Sequence, residues 1–570
     1  MPDRLEAVVI GTGFGGGINA CRLSKRWPGK VLVLERGKRY PMGAFPRTPH
    51  DFAQNFWNLP DEQHSRPERM RQTESHGMFD VRNFKKMDAV LCAGLGGGSL
   101  IYANVFLRPP DEVFDNRWPA SCKKANLEPY YAVAKEVLGA RPVPQDGDPR
   151  RRMIRTELFQ QVAKANGRTS HMLDINVFFG NDYDHPLPIG QQDRNRYGAQ
   201  QTSCVYCAEC DAGCNYHSKN TIDLNYLYVA EHRYQADVRT EHLAQQIVPL
   251  NASGQDDVQA DGAHGYRVAF VDLNSGRTAT SVLANRVVVS AGTLGSTELL
   301  LRGQRTTLPR VSARVGHRFS GNGDFLGFVI GTKQPAEPNY GPVITQGIDY
   351  NLLEKFDPER AFILEDASYP AFLAWFVEGI KPGVFRLGAI GRTIRAVFDR
   401  ITGGSATGSI GYALSDLLSG DLSHRTAVLL SMGIDKSNGT LTLDRNGCID
   451  LDWPGGDSRA LYDAINGAGE AFKRATGAPD YMPIPTWLWP MRKNVTVHSL
   501  GGCVLADDPS NGVTDANRAT FGQVFGYRNL YVSDGAIVPT AVGANPIATI
   551  SALSEMVAQG ITGLTPDANL

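Results

Sequence analysis

The sequence has no long apolar run, no excess of either charge, and an odd number of cysteines, and each fact excludes something. No uninterrupted apolar stretch reaches the roughly 18 residues expected of a membrane-spanning helix. Lysine and arginine total 58 against 59 aspartate and glutamate, a formal net charge of −1, which argues against a nucleic-acid partner. Nine cysteines cannot all pair, and a glycine-rich turn beginning at Gly11 leaves no room for a signal peptide before it. A disulfide framework is therefore not expected. A cytoplasmic protein is, one that can still dock peripherally on a membrane. Hydrophobic residues make up 42% and charged residues 21%, as in a soluble globular protein. At 570 residues the chain exceeds one ordinary domain and fits a large two-domain enzyme.

What is present centres on Ala7 to Glu35. Ala7-Val8-Val9-Ile10 is short, apolar and mostly β-branched, as a buried parallel strand should be. It enters Gly11-Thr12-Gly13-Phe14-Gly15-Gly16, in which Gly11, Gly13 and Gly16 fit G-x-G-x-x-G. A helix through Ile18, Ala20 and Leu23 should follow, then a second strand, Val31 to Leu34, ending on Glu35. The first glycine permits the tight turn, the second lets a pyrophosphate approach the backbone, and the third lets helix and strand pack closely. Glu35 stands about 20 residues beyond the last glycine, where a carboxylate accepts hydrogen bonds from a ribose. Strand, glycines, helix, strand and acid in this order predict a dinucleotide site in an α/β, Rossmann-like domain.

A second glycine cluster, Gly94-Leu95-Gly96-Gly97-Gly98-Ser99, follows the apolar segment Ala89 to Ala93. Such a loop brings backbone N–H groups and a small hydroxyl close to a ligand. From Asp111 to about Gln200 the chain is polar and irregular, with a helical segment near Tyr130 to Leu138. Another helix is predicted from Asn220 to about His232. Val287 to Ser290 reads as a buried strand leading into Ala291-Gly292-Thr293-Leu294-Gly295-Ser296. The span from about Phe325 to Pro485 alternates like strands and is the expected α+β substrate-binding region. Within it Leu387, Ile390, Ile394, Val397, Phe398 and Ile401 recur at helical spacing with Arg386, Arg392, Arg395 and Arg400 off the stripe. That pattern fits a core helix or one lying on a membrane surface.

Four cysteines fall together as Cys204-x₂-Cys207-x₂-Cys210-x₃-Cys214. This is the spacing of a bacterial ferredoxin loop, with Asn215 in place of the usual proline. In two-cluster ferredoxins the fourth cysteine of that run ligates the other cluster. An iron–sulfur cluster, a zinc ion and unmetallated thiols are the three readings. The C-terminal part carries Val497-His498-Ser499-Leu500-Gly501-Gly502-Cys503, then Leu530 to Gly535 with Asp534, then Gly543-Ala544-Asn545-Pro546 before a predicted helix.

Taken together, Gly295 to Leu300, His498 to Leu505, Asn529 to Gly535 and Gly543 to Pro546 resemble the glucose-methanol-choline (GMC) oxidoreductase family. Within it they resemble the bacterial cholesterol oxidases. Thr297 stands where many members have proline, which matches that branch, whereas Ser499 stands where the branch has proline after its histidine. The resemblance implies FAD rather than NAD. It implies a discontinuous FAD-binding domain over 1–110, 201–325 and 486–570, with 111–200 and 326–485 forming the substrate side. Gly11, Gly13, Phe14, Gly15, Gly16 and Glu35 would take the adenosine and pyrophosphate end, and Val238 the adenine through its backbone. Gly97, Gly98, Ser99 and Asn104 would lie nearer the flavin. Asp534 and Asn545 would flank the flavin ring, and Gly292, Gly535, Pro546 and Ile547 would also bind the cofactor.

The implied chemistry is oxidation of a lipophilic, sterol-like alcohol, with removal of the hydroxyl proton and transfer of a hydride to flavin N5. Oxygen or another acceptor would then take the electrons. His498 would handle the proton, its ordinary pKa lying near neutrality. Asn545 would hold the alcohol oxygen or the flavin edge. Glu365, after the apolar run Phe362-Ile363-Leu364, would be a base for isomerising a steroid double bond. A long-chain aliphatic alcohol oxidase and a lyase of the same fold with unreduced FAD are the alternatives.

Overall fold

The computed structural model describes residues 4–59, 74–374, 421–487 and 492–570. Its first sheet grows from the opening apolar run. Leu5–Ile10 pairs in parallel with Val31–Leu34 on one edge and with the end of Thr278–Val289 on the other. Val8, Val9, Val33 and Val287 to Val289 are all fully buried, as continuous β-branched runs in a doubly covered parallel sheet must be. Asp237–Arg239 extends the sheet beyond Val31–Leu34. The long strand Thr278–Val289 carries two partners on its far edge: Tyr266–Asp272 runs antiparallel along its first part and Leu530–Val532 parallel along its last. His242–Pro249 completes the seven strands. Three predicted strands, Ala7 to Ile10, Val31 to Leu34 and Val287 to Ser290, thus lie side by side with one from the far C-terminus.

A second, antiparallel sheet has six strands in the order Asp480–Pro483, Phe325–Ile330, Thr426–Gly433, Phe362–Ala367, Gln346–Tyr350, Ser170–Met172. The strands predicted for the middle of the chain therefore form, but an 18-residue helix, Arg459–Thr476, sits among them. Its buried stripe of Leu461, Tyr462, Ile465, Ala468 and Phe472 packs on Phe325–Ile330, and Gly477 ends it at φ +63°, a left-handed cap open to glycine. The helix expected near Tyr130 runs over Lys124–Val137, and a further helix, Ile154–Ala165, forms in the stretch read as irregular. The helix expected from Asn220 is two pieces, a 3₁₀ turn at Ile222–Leu224 and an α-helix at Tyr226–His232. Asn225 separates them because its side chain accepts from Tyr226 N and caps the second piece. The amphipathic stripe from Leu387 to Ile401 lies outside the described residues. Among the described residues no helix is long and apolar enough to cross a membrane.

The two ends of the chain are locked by one buried ion pair. Phe14–Arg26 packs along the C-terminal helix Ile547–Thr562. Between them Arg22 donates from Nε and Nη2 to Glu555 at 2.9 and 2.8 Å, and Tyr226 Oη donates to the same carboxylate at 2.7 Å. Arg22 and Glu555 are 3% and 0% exposed. Removing one member leaves a buried charge without its partner, which costs about 3–5 kcal/mol. Glu555→Ala should therefore lower the thermal and urea midpoints strongly. Replacing Arg22 and Glu555 together by methionine should recover much of the loss, because two apolar side chains carry no such penalty. Denaturation of the three proteins measures both effects.

Candidate active site

The first glycine turn is built by backbone contact. Gly11 has φ +95°, and a Cβ there would stand 2.2 Å from Ser290 O. A Cβ on Gly15 would meet Ser533 O at 1.6 Å, and one on Gly16 would meet Gly11 O at 2.0 Å. Gly13 caps the helix Phe14–Arg26, and nothing lies within 4 Å of its missing Cβ. Three glycines are thus used up in packing, while Gly13 leaves open space at a helix N-terminus, where a phosphate is stabilised. Phe14 begins that helix and packs edge-on against Tyr102. Glu35 closes the turn: Oε2 accepts from Thr12 N at 3.2 Å and from Thr12 Oγ1, and Oε1 accepts from Gly37 N at 2.8 Å. Burial pushes its carboxyl above the ordinary range against those bonds. Val238 pairs with Val33 two residues before Glu35, so its backbone flanks the same end of the sheet.

The second glycine loop rests on the first. Gly97, at φ +54°, would place a Cβ 2.7 Å from Gly13 Cα. Gly98 faces open space. Ser99 has a different place from a ligand-facing hydroxyl. It donates to Gly96 O at 2.7 Å and accepts from Ile222 N at 3.1 Å, so it clips the loop in shape. Asn104 sits beyond it at φ +72°, fully buried, with both Oδ1 and Nδ2 lacking a protein partner. A buried polar atom left unpaired costs about 1–3 kcal/mol. Two on one side chain fit a residue that bonds a bound group.

The third segment brings Gly292 to Asp534. Gly292 N donates to Asp534 Oδ2 at 2.9 Å, Ser296 Oγ donates to the same oxygen, and Ala536 N donates to Oδ1 at 2.8 Å. Burial raises the Asp534 carboxyl to about 6, opposed mainly by the Ser296 bond. Gly535 must be glycine, since a Cβ would lie 2.6 Å from Thr293 Oγ1. Pro546 and Ile547 open the C-terminal helix directly after Asn545. These residues can hold FAD along the cradle that the glycine turns form: phosphates at Gly13, ribose at Glu35, flavin toward Asn104 and Asn545.

At the far end the structure joins Glu365 to Asn545. Asn545 Nδ2 donates to Glu365 Oε2 at 3.3 Å, while Asn545 Oδ1 and Glu365 Oε1 are buried without partners. Glu365 lies in the middle of Phe362–Ala367 and is 0% exposed. Burial drives its carboxyl well above the usual range. The Asn545 bond opposes this, and the charges of Asp366 and Asp324 add to it. His498 belongs to the same group through Asp324. His498 Nδ1 lies 2.7 Å from Asp324 Oδ1, and Asp324 Oδ2 accepts from Thr496 Oγ1 at 2.9 Å, Val497 N at 2.8 Å and His498 N at 3.2 Å. A carboxylate so placed keeps the proton on Nδ1 and leaves Nε2 as the nitrogen able to take one.

Sequence reasoning missed Asp324 because it ends a Ser-Gly-Asn-Gly-Asp turn before an apolar strand, with no motif to mark it. It also missed Asn322, whose side chain holds the loop before Asn545 by accepting from Val542 N and Gly543 N and donating to Ala544 O. Asp211 was missed as well. The cysteine loop carries it within electrostatic reach of His498 and Lys219, and burial lifts its carboxyl to about 6. Cys204, Cys207, Cys210 and Cys214 are free thiols in one loop. Among the described residues no group of three or more histidine, cysteine, aspartate or glutamate side chains is placed to hold a metal ion. That finding does not support the zinc reading, since a tetrahedral ion needs its four ligands gathered on it.

A dinucleotide cradle that closes on a histidine able to take a proton describes a class, the dinucleotide-dependent oxidoreductases. Within it the chain belongs to the GMC oxidoreductase family, whose N-terminal model matches residues 15–319 and whose C-terminal model matches residues 435–554. It is an FAD-dependent oxidoreductase acting on CH–OH groups. A cholesterol oxidase of Acinetobacter baumannii is 28% identical over 96% of this chain and 93% of its own. One from Mycobacterium tuberculosis strain ATCC 25618 / H37Rv is 25% identical over 98% and 91%. A long-chain-alcohol oxidase, FAO4B of Arabidopsis thaliana, is 23% identical over 98% and 67%. The fold is shared with a formate oxidase variant of Aspergillus oryzae RIB40 (TM-score 0.60, 14% identity, 99% and 98% covered). It is shared too with a fungal aryl-alcohol oxidase (TM-score 0.55, 15% identity, 99% and 99% covered).

Gly97→Ala tests the contact between the glycine loops. The added methyl meets backbone 2.7 Å away and a left-handed φ, so neither neighbour can turn aside. Flavin per chain, read from visible absorbance and from the denatured extract, should fall well below wild type. Gly98→Ala, which points into open space at the edge of the cradle, should lose less.

Proposed function

We propose that the protein oxidises a bulky lipophilic alcohol, a sterol bearing a ring hydroxyl, to the ketone. The observation that carries this reading is the Glu365–Asn545 pair. It is a buried carboxyl on the substrate-side sheet, bonded to the asparagine at the head of the C-terminal helix and keeping one free oxygen. Relatives named cholesterol oxidase, covered over nearly their whole length, support it.

FAD, when bound, supplies the acceptor for the hydride leaving the alcohol carbon. The protein's own residues supply the rest. His498 Nε2 takes the hydroxyl proton, and Asp324 fixes the tautomer and steadies the imidazolium that results. Asn545 orients the alcohol oxygen without adding charge. Glu365 then moves a proton between carbons of the enone precursor, converting a 5-ene to a conjugated 4-ene ketone. Its elevated pKa suits it for that step, because a carboxylate with a higher pKa is the stronger base, and a pKa nearer the working pH lets the same group take the proton and return it. The base form appears only as pH rises through the raised value, so isomerisation should climb with pH above the normal carboxylate range.

Anaerobic mixing with a 3β-hydroxy-5-ene sterol and, separately, with long-chain primary alcohols tests the substrate. The sterol should bleach the flavin. Bleaching by the aliphatic alcohols alone would assign the protein to that substrate class, in line with the plant relative, and an unbleached flavin with consumed substrate would mean a lyase. His498→Ala should lower kcat by roughly 10²–10⁴-fold with normal flavin content. Glu365→Gln should still bleach the flavin but accumulate the 5-ene ketone. Product analysis by ultraviolet absorbance of the conjugated enone separates the two steps.

A further inference from the structure

We propose that Cys204, Cys207, Cys210 and Cys214 bind an iron–sulfur cluster in a cavity behind the second glycine loop. All four thiols line one small pocket, together with Val177, Lys219 and Gly341. Every pair of the four lies within electrostatic reach of each other. A thiol packed for bulk alone has no reason to face three others.

The backbone offers each of the four sulfurs a hydrogen bond. Tyr206 N donates to Cys204 Sγ at 3.5 Å and Ser218 N to Cys214 Sγ at 3.2 Å. Cys207 accepts from Glu209 N, and Cys210 accepts from Val343 N. Four sulfurs, four backbone donors. In the same loop Tyr206 lies at φ +60° and Ala208 at φ +57°, left-handed conformations uncommon in residues with a side chain. Lys219, 1% exposed, stands at the cavity wall. It spends its three hydrogen bonds on the carbonyls of Leu100, Tyr102 and Cys210, and its charge acts on Cys210. Asp211 already faces this ammonium, and ligating thiolates would give the buried cation a further anionic partner.

The fourth cysteine is the point on which a lone cluster turns. Gly213, at φ +85°, folds the chain back so that Cys214 enters the same cavity as the other three. A Cβ there would strike the Phe45 ring at 2.0 Å. Asn215, in the place of the usual proline, clamps this bend by accepting from Phe45 N at 2.8 Å and donating to Phe45 O at 3.2 Å. Arg47 holds the bend's carbonyls at Ala212 and Gly213. Among the described residues no three of these side chains are placed to hold a single metal ion. That suits several irons bridged by sulfide better than a single ion. The turn Cys210–Ala212 packs on Gly97–Leu100, so the site adjoins the loop assigned to the flavin.

The test uses the whole protein purified without oxygen. Iron, acid-labile sulfide, zinc and flavin are measured per chain, with a spectrum before and after dithionite. The expected result is iron and sulfide in equal amount, about four of each per chain for the cubane form, with broad visible absorbance beneath the flavin bands. Cys207→Ser and Cys210→Ser should lose iron and sulfide while keeping flavin. Cys122→Ser, a buried thiol elsewhere, should keep all three. One zinc per chain, iron without sulfide, or no metal even after supply of ferrous iron and sulfide would each overturn the proposal. The wild-type stoichiometry decides the matter even if the variants fail to fold.

Discussion

Backbone touching backbone at the glycine turns is the constraint on which the rest depends. Gly11 lies against Ser290, Gly15 against Ser533 and Gly97 against Gly13, each at a distance no side chain could occupy. These contacts bring together the N-terminal strand, the middle strand Thr278–Val289, the C-terminal strand Leu530–Val532 and the second glycine loop. Since each approach needs the bare α-carbon, the cradle is specified by absence of side chains and not by any attractive pair. Its open places, at Gly13 and Gly98, are then where a ligand can reach the backbone.

The substrate end is organised by a different force, the placing of buried carboxyls. Glu365 and Asp366 are neighbours on one strand and point to opposite faces, as period-two geometry requires. Asp366 is saturated: it accepts from Thr345 N and Gln346 N at 2.7 Å and pairs with Arg155. Glu365 has one bond, to Asn545, and one free oxygen. The first is a structural anchor and the second carries unspent hydrogen-bonding capacity, so one residue step separates scaffold from chemistry. Asp324 adds a third kind of carboxyl, one that holds a histidine ring and the backbone beneath it at once.

The cysteine loop links these two ends. Its bend is pinned to Phe45 and Arg47 on one side, its turn packs on the second glycine loop, and Asp211 within it lies within electrostatic reach of His498. A segment that composition alone would leave as a surface loop is therefore packed on the second glycine loop and reaches toward His498.

Local pattern was enough for the nucleotide half. The apolar run, the spaced glycines and Glu35 are contiguous, and their spacing reflects short-range geometry of one strand, one turn and one helix. His498, Asn545 and Glu365 were put forward through resemblance, as residue types in recognisable surroundings. What the sequence did not hold was who meets whom. Asp324 lies 174 residues from His498 and Glu365 lies 180 from Asn545, separations at which no periodicity survives. The helix Arg459–Thr476 was overlooked because strands around it set the expectation, although its own stripe is helical. Motif chemistry is carried by neighbours in sequence, so the chain by itself determined a dinucleotide site and four clustered thiols. Tertiary structure alone decided that Asp324 orients the histidine, that Asn545 meets Glu365, and that Cys214 turns inward, because burial and closure are properties of the packed chain.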